Sequence, residues 1–308
     1  MSVLTSDVLL SSADNSMVAV LPNAQLLDFS LGIKTSAEKA FVSWTPKDHS
    51  SSFRLMQSIT LAWKNSLTTQ YLLYGKVNGA NPFSWEIVPY QACRTCFGRI
   101  IQQLRVLWRT VFGGVALEGA RKSNQQAFYK ECLQHSSGDD QRKHAVEKSS
   151  VENKSKADDA FCNKAIIERQ CVITGTKVNV LFNHAPIGFG GERLHFLIVP
   201  KEHRETFTDL TEEEYLESMK LTAQLQKKLS QSSKELLNAY LFLKTGIDAG
   251  QTVKHVHLHA IFTLNNKQDF WSKLTVVKNI LFGSSPMNAT DLTNRVADLK
   301  TELSGLRA

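Results

Sequence analysis

The sequence has few of the residues that build fibrous, disulfide-stabilised or membrane-spanning proteins. Five cysteines, seven prolines and 16 glycines among 308 residues are too few for a disulfide scaffold or a collagen-like repeat. No apolar run reaches the roughly 18–20 residues that a bilayer span needs. The first 21 residues lack the basic start and apolar segment of a secretory signal. We therefore expect a globular protein in a reducing compartment, the cytoplasm or a eukaryotic nucleus.

Neither sign of charge dominates the chain. Lys and Arg number 36 against 29 Asp and Glu, which gives a net charge of +7. This excess suits an anionic ligand, but it is too diffuse to predict a nucleic-acid or membrane partner.

The chain contains a tandem duplication. Four blocks recur in the same order, which a duplication explains better than chance. The second block is interpreted as a strand that runs into a turn. The matched blocks are Val20–Asn23 with Val180–Asn183, Ala40–His49 with Leu194–His203, Tyr71–Gly75 with Tyr240–Lys244, and Leu104–Gly113 with Leu274–Gly283.

A polar segment separates the two copies. His135–Asp159 is mostly Ser, Lys, Asp and Glu, and has too little apolar surface to repay the entropy of ordering. We predict a first domain at 1–134, a linker at 135–160 and a second domain at 161–308.

Strands alternate with single helices in the second copy. A long helix is predicted over Thr211–Asn238, with Asp209 or Thr211 as its N-cap. Strands are predicted on both sides of this helix, among them His255–Phe262. This pattern indicates an α+β fold in which each domain has a mostly antiparallel sheet with helices.

Three histidines alternate with apolar residues at His255, His257 and His259. In a strand they would share one face, about 7 Å apart. Such a row suits either a metal site or a nucleophile for phosphoryl or nucleotidyl transfer. A solvated polar face is the weaker alternative, because such faces usually mix Lys, Glu and Thr.

The loop before the histidines favours phosphate chemistry. Gly246–Lys254 contains two glycines, whose backbone can approach phosphate oxygens closely, and the Thr252 hydroxyl. Lys244 and Lys254 add positive charge, and no carboxylate or cysteine has metal-ligand spacing nearby. We therefore predict a bound polyphosphate and no metal at the three histidines.

The second copy resembles the histidine triad family, whose signature is three histidines alternating with apolar residues. Gly250–His259 is especially similar to the branch with the fragile histidine triad hydrolase and the histidine triad nucleotide-binding proteins. His195–His203 resembles the family's first conserved strand and turn, and Asn183 matches its ribose-binding position. The resemblance covers about 161 to 264 and implies a nucleotide substrate.

The resemblance also implies roles for four histidines. His257 would attack the α-phosphorus of a nucleotide and form a nucleotidyl-histidine intermediate. His259 and His195 would flank the phosphates, and His255 would orient the nucleophile through its backbone carbonyl.

Further residues match the family's substrate contacts, with departures. Gln251 and Thr252 would hold the bridging or leaving-group oxygens. Lys244 stands where relatives usually carry Asn or Gln, and Gly188–Arg193 lengthens a loop. The base and the leaving group are not fixed by these residues.

The last triad position favours hydrolysis. Because it is His259 rather than Gln, the sequence resembles the hydrolases more than the uridylyltransferase and phosphorylase branches. We therefore expect a hydrolase of dinucleoside polyphosphates or nucleoside phosphoramidates. The alternatives are a nucleotide-binding sensor or adaptor with little turnover, or a nucleotidyltransferase or phosphorylase.

The first copy lacks the catalytic histidines. Asn81–Pro89 resembles a degenerate version of the triad strand, with Pro82, Ser84 and Glu86 in place of the three histidines. Phe41 is matched to the fourth histidine. We expect this half to be inactive and to pair with the second half in an intramolecular pseudo-dimer, most simply as a monomer, although a homodimer is compatible.

Two remaining features are assigned structural roles. Cys93 and Cys96 have zinc-ligand spacing, with Cys162 as a conceivable third ligand, but a lone pair is a weak signal and free thiols are favoured. No cofactor is expected to be required, and a divalent cation bound with a polyphosphate substrate is compatible. The helix Phe97–Phe112 resembles a membrane-surface helix, but its repeat at 274–282 favours packing against the fold.

Overall fold

A computed structural model describes residues 8–134, 159–188, 193–233, 237–263, 270–282 and 284–306. The predicted linker up to residue 158, and residues 189–192 of the lengthened loop, lie outside the described residues. We refer to residues 8–134 as the first half and to residues 159–306 as the second half.

The two halves repeat one succession of strands and helices. The first half contains β1 (Val8–Ser11), β2 (Met17–Val20), β3 (Ala24–Gln25), β4 (Leu31–Thr35), α1 (Pro46–Ser66), β5 (Tyr71–Val77), β6 (Ser84–Pro89), α2 (Cys96–Phe112), β7 (Val115–Ala116) and α3 (Gly119–Gln134). The second half contains α4 (Lys164–Gln170), β8 (Cys171–Thr174), β9 (Val178–Phe182), β10 (Leu194–Pro200), α5 (Glu212–Ser233), β11 (Asn238–Thr245), β12 (Leu258–Thr263), α6 (Phe270–Phe282) and α7 (Ala289–Glu302).

One antiparallel sheet of ten strands crosses both halves. Its order is β1-β2-β4-β6-β5-β11-β12-β10-β9-β8, so β5 and β11 join the halves at the centre. Tyr74 pairs with Phe242 in the middle of this junction. The predicted α+β fold and the pseudo-dimer arrangement are confirmed.

Helices α1 and α5 cover one face of the sheet. Each starts with a capping box, in which Thr45 and Asp48, or Thr211 and Glu214, exchange hydrogen bonds between side chain and backbone. The two helices pack across the junction, where Phe53 and Tyr215 stack with their ring centroids 4.9 Å apart. Thr211, rather than Asp209, is therefore the N-cap of the long helix.

Helices α2 and α6 lie on the opposite face. Val106 of α2 packs with Leu72 and Val88 of the first half. Val276 of α6 packs with Tyr240 and Ile261 of the second half. The side chains at alternate strand positions therefore divide between two apolar layers, and the candidate site lies in the layer with α2 and α6.

One predicted strand of the first half is wrong. Ala40–His49 does not continue the sheet: Phe41–Ser43 is a short 3-10 helix, and α1 begins at Pro46. The capping pair Thr45 and Asp48, with a proline at the first helical position, favours helix initiation over an extended strand. The strand equivalent to β10 is instead β4, which lies earlier in the sequence.

None of the helices in the described residues is long and apolar enough to span a bilayer.

Candidate functional site

The three histidines of the motif do not all lie in a strand. β12 begins only at Leu258, so His255 and His257 precede it, and the predicted strand from residue 255 is too long. The His255 side chain is buried, whereas those of His257 and His259 are partly exposed. The histidines therefore have different surroundings rather than one shared surface.

The His257 ring is oriented by the backbone. Its Nδ1 lies 2.7 Å from the carbonyl oxygen of His255 and must donate a proton, because a carbonyl oxygen only accepts. Nε2 then carries the lone pair of the neutral ring. The ring contacts Phe161 and His259, with centroids 4.9 and 4.6 Å away. Desolvation lowers the pKa of His257 to about 4, which keeps the ring neutral at pH 7.

His195 and His259 form a hydrogen-bonded pair of fixed tautomers. The backbone N–H of Ile187 donates to Nδ1 of His195 over 3.2 Å, so the proton of the neutral ring lies on Nε2. That Nε2 donates over 3.0 Å to Nδ1 of His259. His259 consequently carries its own proton on Nε2 and is a hydrogen-bond donor.

Burial keeps both rings neutral. Desolvation, with a contribution from His257, lowers the pKa of His195 to about 3. The pKa of His259 is held well below its usual value for the same reason, and Phe242 stacks on its ring at 4.8 Å.

Asn183 supports His195. Its amide Nδ2 lies 3.1 Å from Nδ1 of His195, and its Oδ1 accepts a hydrogen bond from the backbone N–H of Ala185. The structure therefore places this side chain beside the histidine and at the turn that follows β9.

The glycine loop 246–254 has a backbone that glycine favours. Gly246 and Gly250 have φ angles of 89° and 83°, which side chains with a Cβ rarely adopt. The Gln251 amide accepts from the Gly246 N–H and donates to the carbonyl of Glu205, each over 2.8 Å. Gln251 thus braces the loop, whereas Thr252 is exposed.

Asp248 connects this loop to the first half. Its buried carboxylate accepts from Arg99 Nε at 2.8 Å and from Gln70 Nε2 at 2.7 Å. Gln103 of α2 donates to the Asp248 carbonyl over 3.0 Å. The first half therefore fixes the position of the loop beside the histidines.

Lys244 lies at the end of β11 near this loop. A Cβ added at Gly250 would be 3.4 Å from the Lys244 Nζ, and this Nζ is 5.9 Å from the centroid of the Phe242 ring. Lys244 is half-buried, and desolvation lowers its pKa to about 8. It is therefore mainly protonated at pH 7.

A second group of polar side chains lies behind His255. One donor atom from each of Asp159, Cys162, His203 and His255 lies within 4.8 Å of all the others. Oδ2 of Asp159 is 2.6 Å from His255 Nδ1 and 2.9 Å from His203 Nδ1. Cys162 Sγ lies 3.0 Å from this oxygen and 3.8 to 3.9 Å from the two nitrogens.

These four residues fit a tetrahedral zinc ion. His255 Nε2 donates to the Pro200 carbonyl over 3.0 Å, which leaves the lone pair of the neutral ring on Nδ1, facing the cluster. Zinc bonds of about 2.0–2.3 Å separate neighbouring ligand atoms by about 3.5 Å, which lies between the 2.6–3.0 Å distances from Asp159 and the 3.8–3.9 Å distances from Cys162 to the imidazoles. A zinc ion would hold His255, and through its carbonyl His257, in place.

Most of this cluster is not predicted from the sequence. Cys162 lies in it and not with Cys93, whose Sγ contacts the Gln91 carbonyl at 3.4 Å. Asp159 falls within the predicted linker, 135–160. Asp159 and Cys162 have the i, i+3 spacing of a ligand pair, and this was the available signal.

Glu86 occupies the place of His259 in the first half. Glu86 pairs with Tyr74 as His259 pairs with Phe242. Desolvation raises the pKa of Glu86 to about 7, and its Oε1 accepts a hydrogen bond from the backbone N–H of Leu26. The first half therefore has a carboxyl group where the second half has a histidine.

The residue matched to the fourth histidine must be corrected. In the second half, His259 pairs with a residue of β10, and His195 lies two residues before that partner. In the first half, Glu86 pairs with a residue of β4, and Ser30 lies two residues before that partner. Phe41, the residue matched from the sequence, lies in the apolar layer under α1. Ser30 also hydrogen-bonds Glu86, so these two replace the His195–His259 pair.

Comparison with known proteins identifies the class of the second half. Residues 167–265 match the family model of the HIT domain, the histidine triad domain. This match places a HIT domain at residues 167–265. An uncharacterized HIT-like protein of Methanocaldococcus jannaschii is 36% identical over 70 residues, which are 22% of this chain. The chain spans about half the length of that curated relative.

Two solved structures match both halves. A GalT-like protein from Arabidopsis thaliana has a TM-score of 0.53 at 10% identity, over 93% of this chain and 87% of its own. An ADP-glucose phosphorylase from Arabidopsis thaliana, with bound ADP-glucose, has a TM-score of 0.51 at 9% identity, over 93% and 85%. At such identities the likeness establishes the fold, and the first half shares it.

The prediction of a hydrolase is wrong. The fold that spans both halves is that of GalT-like and phosphorylase proteins, which favours the transferase or phosphorylase alternative. His259 in the third position of the motif does not by itself determine the type of reaction. The coarser conclusion, a nucleotide-processing enzyme of the HIT superfamily, is supported.

Proposed function

We propose that this protein transfers a nucleotidyl group from a nucleotide donor to the phosphate of an acceptor, which is inorganic phosphate or a sugar phosphate. His257 is the nucleophile that carries the nucleotidyl group between the two. The observation that carries this proposal is the fixed tautomer of His257, which leaves a neutral Nε2 lone pair on a partly exposed ring.

The protonation of the site favours an anionic acceptor over water. His259 and Lys244 are hydrogen-bond donors, and the one lone pair of His257 is used by the nucleotidyl group. The buried carboxylate of Asp248 is engaged by Arg99, and that of Asp159 lies in the cluster behind His255. Water must lose a proton when it attacks, whereas a phosphate oxygen is already ionised at pH 7 and needs no base.

The reaction proceeds in two displacements. His257 Nε2 attacks the α-phosphorus, so a P–N bond forms, the bond to the bridging oxygen breaks, and the leaving phosphate takes the electron pair. An acceptor phosphate oxygen then attacks the same phosphorus, and the P–N electrons return to Nε2. His259 and Lys244 stabilise the charge on the phosphate oxygens in both steps.

The resemblance to an ADP-glucose phosphorylase makes nucleoside diphosphate sugars the first donors to test. The full chain would be incubated with ADP-glucose or UDP-glucose, with and without inorganic phosphate, and nucleotide products measured by chromatography. We expect product formation to saturate with phosphate and to exceed the rate in phosphate-free buffer by about 100-fold or more.

Isotope exchange separates transfer from sensing. Labelled glucose 1-phosphate should enter the nucleotide sugar in the absence of other acceptors, because the first step is reversible. Equal rates with and without phosphate or sugar phosphate would overturn the acceptor assignment. Tight nucleotide binding without any exchange would indicate a sensor instead.

The affinity for nucleotide should fall as the pH rises through about 8. Lys244 is charged below its pKa of about 8 and neutral above it, and substrate phosphates remain ionised throughout. From pH 7 to pH 9 we expect the dissociation constant to rise about tenfold. Isothermal titration calorimetry with a non-reactive nucleotide analogue would measure it.

Lys244→Arg provides the matched control. Arg keeps its charge at pH 9, so the variant should lose most of the pH dependence, whereas Lys244→Met should bind weakly at both values. An unchanged pH profile in Lys244→Met would exclude Lys244 as the titrating contact.

We also propose that Asp159, Cys162, His203 and His255 hold a structural zinc ion, on the basis of their donor atoms and spacing. Zinc would supply stability to the segment before β12 and would take no part in the two displacements.

The domain boundaries 1–134, 135–160 and 161–308 remain a prediction.

A further inference from the structure

Helix α2 carries a stripe of exposed apolar side chains. Its inner residues Val106 and Leu107 are buried against the sheet. Its outer face carries large side chains spaced three or four residues apart, so that they form one line about 22 Å long. Phe97 and Trp108 are 73% and 51% exposed, and the line consists of Phe97, Ile100, Leu104, Trp108 and Phe112.

Two neighbouring elements also expose large apolar side chains. Helix α6 contacts α2, and Trp271 in its first turn is 72% exposed. Ile247, in the loop that α2 holds through Asp248, is 59% exposed. The sequence-based expectation that α2 packs against the fold therefore holds for its inner side only. We call the outer residues of α2, with Ile247 and Trp271, the apolar rim.

The helices α2 and α6, which form most of the apolar rim, carry charge of one sign. Residues 93–117 contain four Arg and no Asp or Glu, and α6 contains two Lys and no Asp or Glu. These two segments therefore carry a charge of +6, out of +7 for the whole chain. The excess of positive charge is therefore concentrated in these two segments, and the expectation of a diffuse charge is wrong.

Three of these cations face solvent. Arg94, just before α2, and Arg105, on α2, are exposed, as is Lys278 on α6. Arg99 is engaged by Asp248, and Arg109 donates to the Leu26 carbonyl over 2.7 Å. The exposed cations are thus free of these internal partners and border the aromatic side chains.

We propose that the apolar rim docks the protein on the surface of a membrane that contains anionic lipid. Aromatic and aliphatic side chains on one side of a helix, flanked by Arg and Lys, match the boundary between acyl chains and acidic headgroups. A second copy fits less well, because a two-fold contact would place this positive surface against itself. Since α2 also holds the glycine loop, docking places the active site beside the headgroups.

Sedimentation with lipid vesicles tests the docking surface. The full chain would be mixed with vesicles of phosphatidylcholine alone, or of phosphatidylcholine with phosphatidylglycerol. We expect binding to the anionic vesicles that weakens as salt is raised. The double variant Phe97→Ser, Trp108→Ser should bind about tenfold more weakly or worse, and Arg94→Glu, Arg105→Glu about fivefold more weakly for each charge removed.

Matched controls lie elsewhere on the surface. Val42→Ser removes an exposed apolar side chain of the first half, and Lys220→Glu reverses an exposed charge on α5. Both should bind vesicles like the wild type. Circular dichroism and the phosphate-dependent reaction in solution would show that the α2 variants remain folded.

Four outcomes would overturn the proposal. In the first, the folded wild type binds neither kind of vesicle. In the second, the Phe97→Ser, Trp108→Ser variant still binds vesicles like the wild type. A dimer in light scattering that this variant dissociates would assign the rim to a second copy. Binding of single-stranded RNA that this variant abolishes, without vesicle binding, would assign it to nucleic acid.

Discussion

His257→Asn is expected to lower nucleotidyl transfer by about three to six orders of magnitude. Asn can still donate a hydrogen bond toward the His255 carbonyl, but it has no lone pair that can form the phosphoramidate bond. The two displacements then lose their shared intermediate, and direct attack of the acceptor is slow. Single-turnover kinetics with a nucleoside diphosphate sugar and phosphate would measure the loss.

Binding and stability should change little in this variant. The His257 ring is partly exposed, and its removal leaves Lys244 and the His195–His259 pair in place. Ser84→Ala is the matched control, because Ser84 precedes Glu86 by two residues as His257 precedes His259. We expect full activity from it. If His257→Asn kept a tenth or more of the wild-type turnover, another group would have to be the nucleophile.

His203→Ala should remove the bound zinc and lower the melting temperature by about 10 °C. The loss of a structural metal ligand costs several kcal/mol, and each kcal/mol is worth about 2–4 °C in a chain of this size. The His203 side chain is buried in the cluster and contacts His255, so transfer should fall through the displaced His255. Elemental analysis of the purified protein and thermal unfolding would measure both effects.

The double variant Cys93→Ala, Cys96→Ala separates this cluster from the other cysteine pair. It should retain about one zinc per chain, because Cys162 lies with Asp159, His203 and His255. A wild type without zinc, or a His203→Ala variant that keeps it, would leave the cluster as a hydrogen-bonded network. Zinc lost from the Cys93, Cys96 variant would move the metal to α2.

The structure of the second half is predictable from the sequence where the local residue pattern and the motif agree. The alternation at 255–259 and the capping residues before α5 are short-range signals, and both led to the right part of the fold. The strand predicted at 40–49 is wrong because Pro46 and Lys47 match Pro200 and Lys201 in sequence but not in structure. Pro46 begins a helix, whereas Pro200 ends a strand. Identical residues in two copies then indicated the wrong register.

The remaining errors concern contacts between distant residues. Asp159 meets His255 across 96 positions, at the edge of a polar stretch that composition alone assigns to a linker. Ser30 takes the place of His195 only once the pairing of β4 with β6 is known. The tautomers of His195 and His259 depend on a backbone N–H at Ile187, which no sequence pattern indicates.

The two halves that join at β5 and β11 belong to one chain, so their association is intramolecular. Two separate subunits would part at low concentration, whereas lobes on one chain meet at an effective concentration on the order of millimolar, whatever the abundance of the protein. The two halves can therefore differ in every molecule. The second half keeps the reactive imidazole, and the first half holds the loop beside it through Arg99 and Gln70.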